Sequence, residues 1–530
     1  MIQMIIDAYS LVGAIPIRSS PVDFPQLFGE MASNGVDHAM VASLRALHAD
    51  ARKGNNHLFA SGAGDIRVLP VGVVAPLAGT HDIEVLIEDC VANNAVALAF
   101  PADPSIPFSS LAFQQTLRTA TRSRLPLVAY GANTPGTPSE LAGLTNDLGC
   151  RLLLSGAGYL LLDELLAVLD EYDHVYIDTS WQVTPGSIEL LVKHAGPEKV
   201  LFGSGVPVRP IRPALNMVLD ANIGDEIKRK ILSSNALRFL GRNSEANQTD
   251  LAPMELPQIM TPATSPIDVH NHFGSIPMIS ATVRDVDAIE LLAKRYHMEY
   301  SVCSSYIAYH EDIEAGNAEM LRKIAGRPHL LGSPVINPTH LETSIKWLDM
   351  FKRNDRLAHA TLMIDTVLAR PGSEPYMKLF AEAAAREVPI FLNGPNRDLI
   401  RVMSWPKGPG LAPFEGRSAA ADVVAMLLEI GQRHPNLPII LGHGMGEDGI
   451  ELAQKTQNIY IELSGSYPEA GAVRRAIDRA GTNRIVFGSD QDVIVPAFAL
   501  GIYYEANLNP VEDRKIMAEN ARRILRMPKK

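Results

Sequence analysis

A long internal repeat constrains the fold of this 530-residue chain more than any other feature of its sequence. Residues 6–13, IDAYSLVG, recur as IDVHNHFG at residues 267–274. Further segments recur in the same order, up to LPLVAYGAN (125–133) and its counterpart VPIFLNGPN (388–396). The chain therefore contains two copies of one unit, and each copy is long enough to bury a core of its own.

The spacing between matching segments grows in the last part of each copy. LFGSG (201–205) matches VFGSD (486–490) at an offset of 285 residues. The second copy contains SWPKGPGLAPFEGRS (404–418), whose glycines and prolines predict an inserted loop. Residues 241–266 contain four prolines and little periodicity, which is typical of a linker. The predicted organisation is a first domain, a linker and a second domain, at residues 1–244, 245–265 and 266–530.

Within each copy, short runs of β-branched residues alternate with helical stretches. RVLPVGVVA (67–75) and HVYIDTS (174–180) are typical of strands, whereas DIEVLIEDCVANN (82–94) has the spacing of a helix. This alternation over about 240 to 265 residues matches a (β/α)8 barrel. A doubly wound sheet is the alternative, but no GxGxxG follows the first strand. The predicted fold class is α/β, with two tandem (β/α)8 TIM-like barrels.

Charge and hydropathy narrow the class of partner. The formal net charge is −11 with no run of five or more like charges, which argues against nucleic-acid and anionic-membrane surfaces. The start, MIQMIIDAYS, lacks the basic region of a signal peptide. No stretch reaches the roughly 18 uninterrupted apolar residues that a membrane span needs. We therefore expect a cytoplasmic protein whose partner is a small molecule.

Polar side chains at four predicted strand ends of the second copy form a candidate site. His270 and His272 are two residues apart on the first strand, so both side chains leave the same face. Asn393 follows VPIFL, His443 follows LPIILG and Asp490 follows RIVFGS. Because the carboxyl ends of barrel strands meet at one face, this set predicts metal ligation and proton transfer. The alternative is that they are capping and turn residues.

The first copy serves as an internal control for these candidates. It keeps the strands but replaces all five side chains, with Tyr9, Leu11, Tyr130, Ser155 and Gly205 at the matching positions. A role in the scaffold would be expected to survive in both copies, so a chemical role in the second copy is the favoured interpretation. We predict a catalytic second barrel and a non-catalytic first barrel.

The same comparison argues against other polar residues. His310 recurs as His48, and Asp365 also has an aspartate counterpart, which favours turn or packing roles. Glu462 matches Asp178 and is predicted to be structural. The remaining histidines of the second copy lack a partner motif and are predicted to lie at the surface: His297, His329, His340, His359 and His434.

At these residues the chain resembles the amidohydrolase superfamily, in the branch that contains aminocarboxymuconate semialdehyde decarboxylase and 2-pyrone-4,6-dicarboxylate lactonase. The resemblance covers nearly all of residues 266–526 and rests on IDVHNHFG in strand 1, LGHG in strand 6, IELSG in strand 7 and VFGSD in strand 8. It implies that His270, His272 and Asp490 bind one divalent metal ion, commonly zinc, and that His443 acts as an acid or base. The first half resembles the same barrel without these signatures.

One position departs from the family pattern. The metal-dependent decarboxylases have a histidine ligand on strand 5, where this chain has Asn393. An asparagine carbonyl is a poor ligand for zinc and suits harder ions, so manganese and iron are alternatives. The lactonase relatives imply a further alternative, a site that works without metal.

The expected function is metal-dependent hydrolysis of a small, carboxylate-bearing lactone, ester or amide. Non-oxidative decarboxylation is the alternative, because Asp490 and His443 could move a proton in either reaction. A non-catalytic binding or assembly protein is a second alternative, supported by Asn393 and by GSDQD (488–492), where an aromatic residue and a proline are expected after GSD. Iron-dependent redox chemistry in the same pocket is a third.

Two further predictions concern the surroundings of the site. Arg401, Lys407 and Arg417 flank or occupy the inserted loop and are predicted to close over an anionic substrate, with solvated loop charges as the alternative. Relatives in this branch often form homodimers, which predicts that the first barrel pairs with the second and shapes its mouth. The sequence leaves further oligomerisation open.

Overall fold

A computed structural model gives the structure of most of the chain. The described residues are 4–14, 22–62, 64–74, 80–102, 107–242, 255–275, 285–364, 367, 369–394, 420–444, 446–465 and 470–528. The chain forms two compact units, Met1–Met260 and Thr261–Lys530, each with its own hydrophobic core. Strands and helices alternate in both units, so both are of the α/β class.

The first unit contains one sheet of eight parallel strands that lie in sequence order. They are β1 Ile6–Val12, β2 His38–Ser43, β3 Val68–Val73, β4 Ala97–Pro101, β5 Leu127–Tyr130, β6 Leu152–Ser155, β7 Val175–Asp178 and β8 Val200–Leu201. β1 also pairs with the segment after β8, because Ala8 N donates to Phe202 O at 2.8 Å and Leu11 N donates to Val206 O at 2.7 Å. The eight strands therefore form a nearly closed parallel barrel.

Helices of the first unit connect these strands and cover the barrel. Their bounds are Phe24–Asn34, Leu44–His48, Ala51–Gly62, Thr80–Ala92, Leu111–Arg122, Thr137–Asn146, Leu162–Glu171, Ser187–Ala195, Ile211–Asp220, Asp225–Arg229 and Asn235–Phe239. The first of them begins with a capping box, in which the Asp23 carboxylate accepts Gln26 N and the Gln26 side chain accepts Asp23 N. The strands between these helices are buried on both faces, as parallel strands covered by helices must be.

The second unit contains eight parallel strands in two sheets. One sheet has β9 Ile267–Phe273, β10 Tyr300–Ser305 and β11 Leu330–Gly332, and the other has β12 Ala360–Met363, β13 Ile390–Asn393, β14 Ile439–Leu441, β15 Ile459–Glu462 and β16 Ile485–Val486. Isolated parallel bridges from Gly332 to Leu357 and from Val335 to Thr361 connect the two sheets. At the other edges, Val269 N on β9 donates to Phe487 O after β16 at 3.2 Å. The prediction of an α/β chain with a parallel barrel is confirmed.

The second unit has the same alternation of strands and helices as the first. Its helices are Val286–Arg295, Tyr306–His310, Ile313–Ile324, Leu341–Met350, Glu374–Ala385, Ala420–Arg433, Gly446–Lys455, Ala472–Ala480, Pro496–Glu505, Pro510–Arg514 and Asn520–Ile524. Over the parts of the chain that the structure describes, no helix is both long and apolar enough to cross a membrane. The predicted insertion at residues 404–418 lies outside these parts.

Side-chain contacts show why the chain divides near residue 260. Asn216, in a helix of the first unit, donates through Nδ2 to Met260 O at 2.7 Å and accepts Met260 N through Oδ1 at 3.1 Å. Four residues later, Thr264 donates to the Asp513 carboxylate of the second unit from its backbone N (2.9 Å) and from Oγ1 (2.5 Å). The extended segment is therefore attached to a different unit at each end.

A buried aspartate joins the first strand to the segment after the last strand in both units. The Asp7 carboxylate accepts the backbone N–H and the hydroxyl of Ser204, at 3.0 and 2.5 Å. The Asp268 carboxylate accepts the same two groups of Ser489, at 2.9 and 2.5 Å. This shared contact holds the strand 1 position beside the strand 8 end, which is where the candidate site of the second unit lies.

Candidate metal centre

Three side chains of the predicted set converge at the carboxyl ends of β9 and β16. His270 and His272 lie on the same face of β9 and are 1% and 2% exposed. Their Nε2 atoms are 3.0 Å apart, and Asp490 Oδ1 lies 3.7 Å from the first and 3.9 Å from the second. Asp490 follows β16 with a φ of +55°, and its backbone N donates to His270 O at 2.8 Å. The turn after β16 therefore directs this carboxylate back towards the two imidazoles.

The three donor atoms fit one divalent cation. Ligand bonds of about 2.0–2.2 Å place neighbouring donor atoms around one ion at separations of about 3–4 Å, as observed here. The three residues form a cluster that could hold a metal ion, with one nitrogen or oxygen atom from each residue within 4.8 Å of the others. Two imidazole nitrogens that face each other at 3.0 Å are stable when they share a cation or a proton. The residues present therefore fit a divalent metal.

The Glu462 carboxylate orients the first histidine. Glu462 Oε2 lies 2.9 Å from His270 Nδ1 and accepts the Ser464 hydroxyl at 2.9 Å, and the side chain is fully buried. A carboxylate only accepts hydrogen bonds when ionised, so it favours a proton on Nδ1 and leaves the Nε2 lone pair for a cation. Glu462 was predicted to be only structural. That prediction is incomplete, because the residue contacts a candidate ligand.

The second histidine has hydroxyl neighbours instead of a carboxylate. His272 Nδ1 lies 2.6 Å from Ser304 Oγ and 3.3 Å from the Tyr309 hydroxyl. Ser304 belongs to β10, directly opposite His272 on β9, and the Tyr309 hydroxyl lies 2.8 Å from Ser304 Oγ. A hydroxyl both donates and accepts, so these contacts alone do not fix which His272 nitrogen carries the proton.

Asn393 and His443 lie beside the three donor atoms. Asn393 ends β13, and its Nδ2 is 3.0 Å from His272 Nε2. His443 follows β14 with a φ of +59°, and its ring centroid is 4.9 Å from that of His270. His443 Nδ1 donates to Ser464 O at 3.2 Å, so Nε2 is the ring nitrogen that remains for proton transfer. The structure thus brings together the five side chains predicted from the sequence.

Burial dominates the electrostatics of the centre. It holds the pKa of His270 and of His272 well below the usual histidine value, and neighbouring imidazoles lower both further. Burial raises the pKa of Asp490 well above the usual range, and the carboxylates of Asp492 and Glu462 raise it further. Neutral imidazoles beside crowded carboxyl groups form a site that a cation would stabilise.

A second aspartate belongs to the same cluster and was not singled out as a site residue from the sequence. Asp492 Oδ1 accepts His272 N at 3.1 Å, and Asp492 Oδ2 accepts the Tyr306 hydroxyl at 2.5 Å. Burial raises the pKa of Asp492 to about 7. The sequence indicated that this position is unusual, because GSDQD has an aspartate where a proline is expected. Only the folded chain shows what this aspartate contacts.

The surface prediction for His359 is wrong. The residue immediately precedes β12, is 1% exposed and stacks on Phe391 with ring centroids 5.3 Å apart. Its Nδ1 contacts Ser333 Oγ and its Nε2 contacts Val269 O, both at 2.9 Å. Burial lowers the pKa of His359 to about 4, so the ring is neutral at neutral pH. Sequence position failed as a guide because the residue lies in no motif.

At the positions that match the candidate metal centre of the second unit, the first unit has apolar or aromatic side chains. Tyr9 and Tyr130 pack there with ring centroids 5.2 Å apart. Backbone contacts also correct one pairing, because Gly156 N donates to Asp178 just as His443 N donates to Glu462. The counterpart of His443 is therefore Gly156 and not Ser155.

Several predicted residues fall on parts of the chain that the structure does not describe. Arg401, Lys407 and Arg417 lie outside the described residues, as does Asp365. Their roles, including closure of the three basic residues over an anionic substrate, stay predictions.

Solved structures with a similar fold each span about half of this chain. 2,6-Dihydroxybenzoate decarboxylase from Rhizobium is 17% identical over 49% of this chain and 98% of its own length, with a TM-score of 0.40. 5-Carboxyvanillate decarboxylase from Sphingomonas paucimobilis is 17% identical over 45% and 99%, with a TM-score of 0.38. A dihydroxybenzoic acid decarboxylase from a Polaromonas species, solved with bound manganese, is 16% identical over 49% and 96%, with a TM-score of 0.39.

Family membership rests on a stronger match. The chain has no match among curated proteins. The family model described as Amidohydrolase matches residues 16–242 and again residues 267–527, which is nearly the whole of both units. The expectation of an enzyme, a metal-dependent hydrolase or decarboxylase, is confirmed. The chain belongs to the amidohydrolase family.

Proposed function

We propose that the second unit is the catalytic barrel of a divalent-metal-dependent, non-oxidative decarboxylase of a small carboxylic acid. The observation that carries this proposal is the convergence of His270 Nε2, His272 Nε2 and Asp490 Oδ1 within 3.9 Å of one another. The substrate class and the reaction rest on the chemistry that this centre could support. Hydrolysis of a lactone, ester or amide, the reaction first expected from the sequence, is the competing outcome of the test below.

We also propose that the chain is a tandem duplication with one active copy. The family model matches twice, and the structure pairs the strands of both units in the same order. The two sheets of residues 266–530 would then be one barrel, closed by the bridges between β11 and β12 and the hydrogen bond from β9. Residues 1–244 would form a non-catalytic copy and residues 245–265 the linker.

The centre would hold one ion. His270 and His272 would bind it through Nε2 and Asp490 through Oδ1, and the Asn393 amide is close enough to add an oxygen if its carbonyl end faces inward. Three nitrogen and carboxylate ligands suit zinc, whereas an added amide oxygen suits manganese. When bound, the ion would polarise a substrate oxygen and stabilise the negative charge that develops there.

The protein's own residues would bind the acid, exclude water and move one proton. Loss of CO2 breaks a carbon–carbon bond and leaves its electron pair on the substrate carbon, which must then take a proton. His443 is placed to deliver it from Nε2 once that atom is protonated, because Nδ1 is occupied by Ser464 O. Asp490 is the second candidate for this transfer, since its carboxyl group borders the same space.

Burial favours decarboxylation over hydrolysis. The donor side chains are almost inaccessible, with Asp490 6% and Asn393 7% exposed. Aromatic rings surround the histidines, with Phe391 4.5 Å from His270 and Tyr306 5.1 Å from His272 between centroids. Decarboxylation needs no water, and removing a carboxylate from water raises its energy relative to the charge-delocalised transition state. Hydrolysis would instead need a water molecule delivered into this buried centre.

Metal content is the first test. We expect close to one equivalent of a divalent metal in protein purified without chelator, and loss of that metal in the double variant His270→Ala/His272→Ala. His329→Ala/His340→Ala removes two exposed histidines of the same unit and serves as the control, which we expect to keep the metal. No metal in the wild type would refute the proposed centre.

Product analysis then separates the two reactions. The loaded protein is incubated with 2,6-dihydroxybenzoate and 5-carboxyvanillate, the compounds named for two similar folds, and with simple aryl lactones. Release of CO2, lost in His270→Ala/His272→Ala, would support decarboxylation. Lactone opening without CO2 release would overturn decarboxylation in favour of hydrolysis.

A further inference from the structure

A tyrosine hydroxyl is inserted between two neighbouring strands of the second unit, next to the candidate metal centre. Tyr503 belongs to the helix Pro496–Glu505 and is fully buried. Its hydroxyl accepts Leu463 N, which directly follows β15, at 3.2 Å, and donates to Val486 O at the end of β16, also at 3.2 Å. One side chain therefore connects the carboxyl ends of both strands.

The first unit makes the same connection without a side chain. Thr179 N donates directly to Leu201 O at 3.0 Å. The register of the last two strands shows that Leu463 and Val486 are the matching residues of the second unit. The Tyr503 hydroxyl therefore takes the place of a direct backbone hydrogen bond. Because an oxygen atom lies between donor and acceptor, the ends of β15 and β16 are held further apart than a direct hydrogen bond would hold them.

The residue at the matching helix position accounts for this difference. Val218 is the counterpart of Tyr503, because each follows the last strand of its unit as the eighth residue of the helix Ile211–Asp220 or Pro496–Glu505. Valine has no hydroxyl group, so the strand ends of the first unit pair directly. A single side chain therefore distinguishes the two arrangements.

Glu462 ends β15 beside this hydroxyl, and its side chain is tightly enclosed. A Cβ atom added to Gly488 would lie 2.6 Å from Glu462 Cγ, 2.7 Å from Glu462 Cδ and 2.8 Å from His270 Cβ. The side chain thus passes over the segment after β16 before Glu462 Oε2 reaches His270 Nδ1 at 2.9 Å. Because this passage has no spare room, the separation of β15 and β16 decides whether the carboxylate reaches the imidazole.

The first unit combines directly paired strands with a shorter acid. Asp178 has the position of Glu462 and also passes over a glycine, since a Cβ atom added to Gly203 would lie 2.9 Å from Asp178 Cβ. Its carboxylate accepts Gly156 N and Ser180 N, at 3.1 and 2.9 Å. Direct pairing thus accompanies aspartate, whereas strands separated by a hydroxyl accompany glutamate, which is longer by one methylene group.

The Tyr503 ring also contacts the segment that closes the barrel. It packs against Phe487 in a T-shaped arrangement, with ring centroids 5.3 Å apart. Phe487 O accepts Val269 N at 3.2 Å, and Val269 directly precedes His270 on β9. The same tyrosine therefore contacts both the strand end that carries Glu462 and the segment to which the strand of His270 is bonded.

We propose that Tyr503 is a positioning residue of the metal centre. Its hydroxyl holds the ends of β15 and β16 at the separation that lets Glu462 reach His270 and orient this imidazole for the ion. The inference rests on the proposed function in one respect, that His270 is a metal ligand. The first unit has no histidine to orient at this position, and its strand ends pair directly.

Tyr503→Phe removes only the hydroxyl and tests the proposal in the full-length chain. It leaves a buried donor, Leu463 N, opposite a buried acceptor, Val486 O, so we expect the two strand ends to close and to bond directly, as they do in the first unit. Tyr460→Phe is the matched control. It removes a hydroxyl from β15 itself, two positions before Glu462, and the Tyr460 side chain is also buried.

Two measurements are made on the same proteins. Crystal structures of the metal-free wild type and variants give the geometry directly, and in Tyr503→Phe we expect Glu462 Oε2 to lie too far from His270 Nδ1 for a hydrogen bond. Binding of Co²⁺, the probe ion, is measured by chelator competition and by its visible absorption, which depends on the arrangement of the ligands. We expect Tyr503→Phe to weaken Co²⁺ binding about tenfold, the lower end of the range for such outer contacts, and to change the absorption spectrum.

The control and the outcomes separate this inference from a general loss of stability and from the proposed function. Tyr460→Phe is expected to keep the wild-type Co²⁺ affinity and spectrum, even if its urea midpoint of unfolding falls. An unchanged distance between Glu462 and His270 in Tyr503→Phe would overturn the inference, and so would an unchanged affinity and spectrum. A wild type that binds no divalent ion would refute the proposed function, while the metal-free crystal structures would still decide whether the Tyr503 hydroxyl positions Glu462.

Discussion

Replacing Glu462 with glutamine tests how the centre prepares His270. The two carboxylate oxygens accept from four donors: Oε2 from His270 Nδ1, Ser464 Oγ and His443 N, and Oε1 from Ser464 N. Glutamine keeps one oxygen and turns the other into a donor. In either orientation, the NH2 group of the glutamine side chain faces at least one N–H donor whose hydrogen bond the carboxylate had accepted.

The orientation of the new amide group decides whether Glu462→Gln lowers metal affinity or the free energy of unfolding. If the amide nitrogen faces His270, the imidazole must move its proton to Nε2 and loses its lone pair for the ion. If it faces Ser464 N, a buried donor loses its acceptor, which costs about 1–3 kcal/mol of folding free energy. Outer contacts of this kind change metal affinity about 10- to 100-fold, which is about 1.4–2.8 kcal/mol of binding free energy.

Asp178→Asn provides the control for this experiment. Asp178 occupies the same strand end in the first unit and accepts Gly156 N at 3.1 Å and Ser180 N at 2.9 Å, with no histidine beside it. Both variants are expected to lower the urea midpoint of unfolding, but only Glu462→Gln should weaken metal binding in a chelator titration. Wild-type metal affinity in Glu462→Gln would refute the argument that Glu462 prepares His270.

Two further predictions concern proton transfer and pH. Asparagine tolerates the left-handed φ of +59° at position 443, so His443→Asn should keep the backbone conformation. We expect this variant to lower turnover about 10²- to 10⁴-fold, while elemental analysis finds the same metal content as in the wild type. Loss of the metal would instead indicate that His443 is a ligand. Burial raises the pKa of Asp7 from 3.8 to about 6, so the folded state binds the Asp7 proton more tightly than the unfolded state does. The protonated carboxyl group therefore stabilises the folded state fully below pH 3.8, and this stabilisation is lost as pH rises through about 6. In urea unfolding, the free energy of unfolding of the wild type should fall by about 3 kcal/mol over this pH range, and that of Asp7→Asn should lack this fall. Equal pH slopes in the two proteins would contradict the prediction.

Local patterns were sufficient to predict much of the fold. Strands such as β5 and β13 are short apolar runs bounded by turn residues, and this pattern is visible without knowledge of the rest of the chain. The alternation of strands and helices over about 240 to 265 residues predicted a barrel, and the repeat predicted that the chain contains two such units. The order of eight parallel strands in the first unit agrees with that prediction.

The candidate site was only partly visible in the sequence. The five side chains lie in the second half of a strand or shortly after one, so the rule that the carboxyl ends of barrel strands meet at one face was enough to group them: His270, His272, Asn393, His443 and Asp490. His359 was misassigned because it immediately precedes β12 at a position with no motif, and its neighbours Val269 and Ser333 come from β9 and from the segment after β11. Sequence spacing carries no information on such contacts.

The sequence by itself determined which residue types are available and, through the repeat, which of them the first copy lacks. Only the tertiary structure decided what each polar group faces. Glu462 next to His270 is a carboxylate 192 positions away, and Ser304 next to His272 is a hydroxyl on the adjacent strand. Hydrogen bonds act over about 3 Å, so the proton positions of a metal centre depend on contacts that form only when distant segments are packed together.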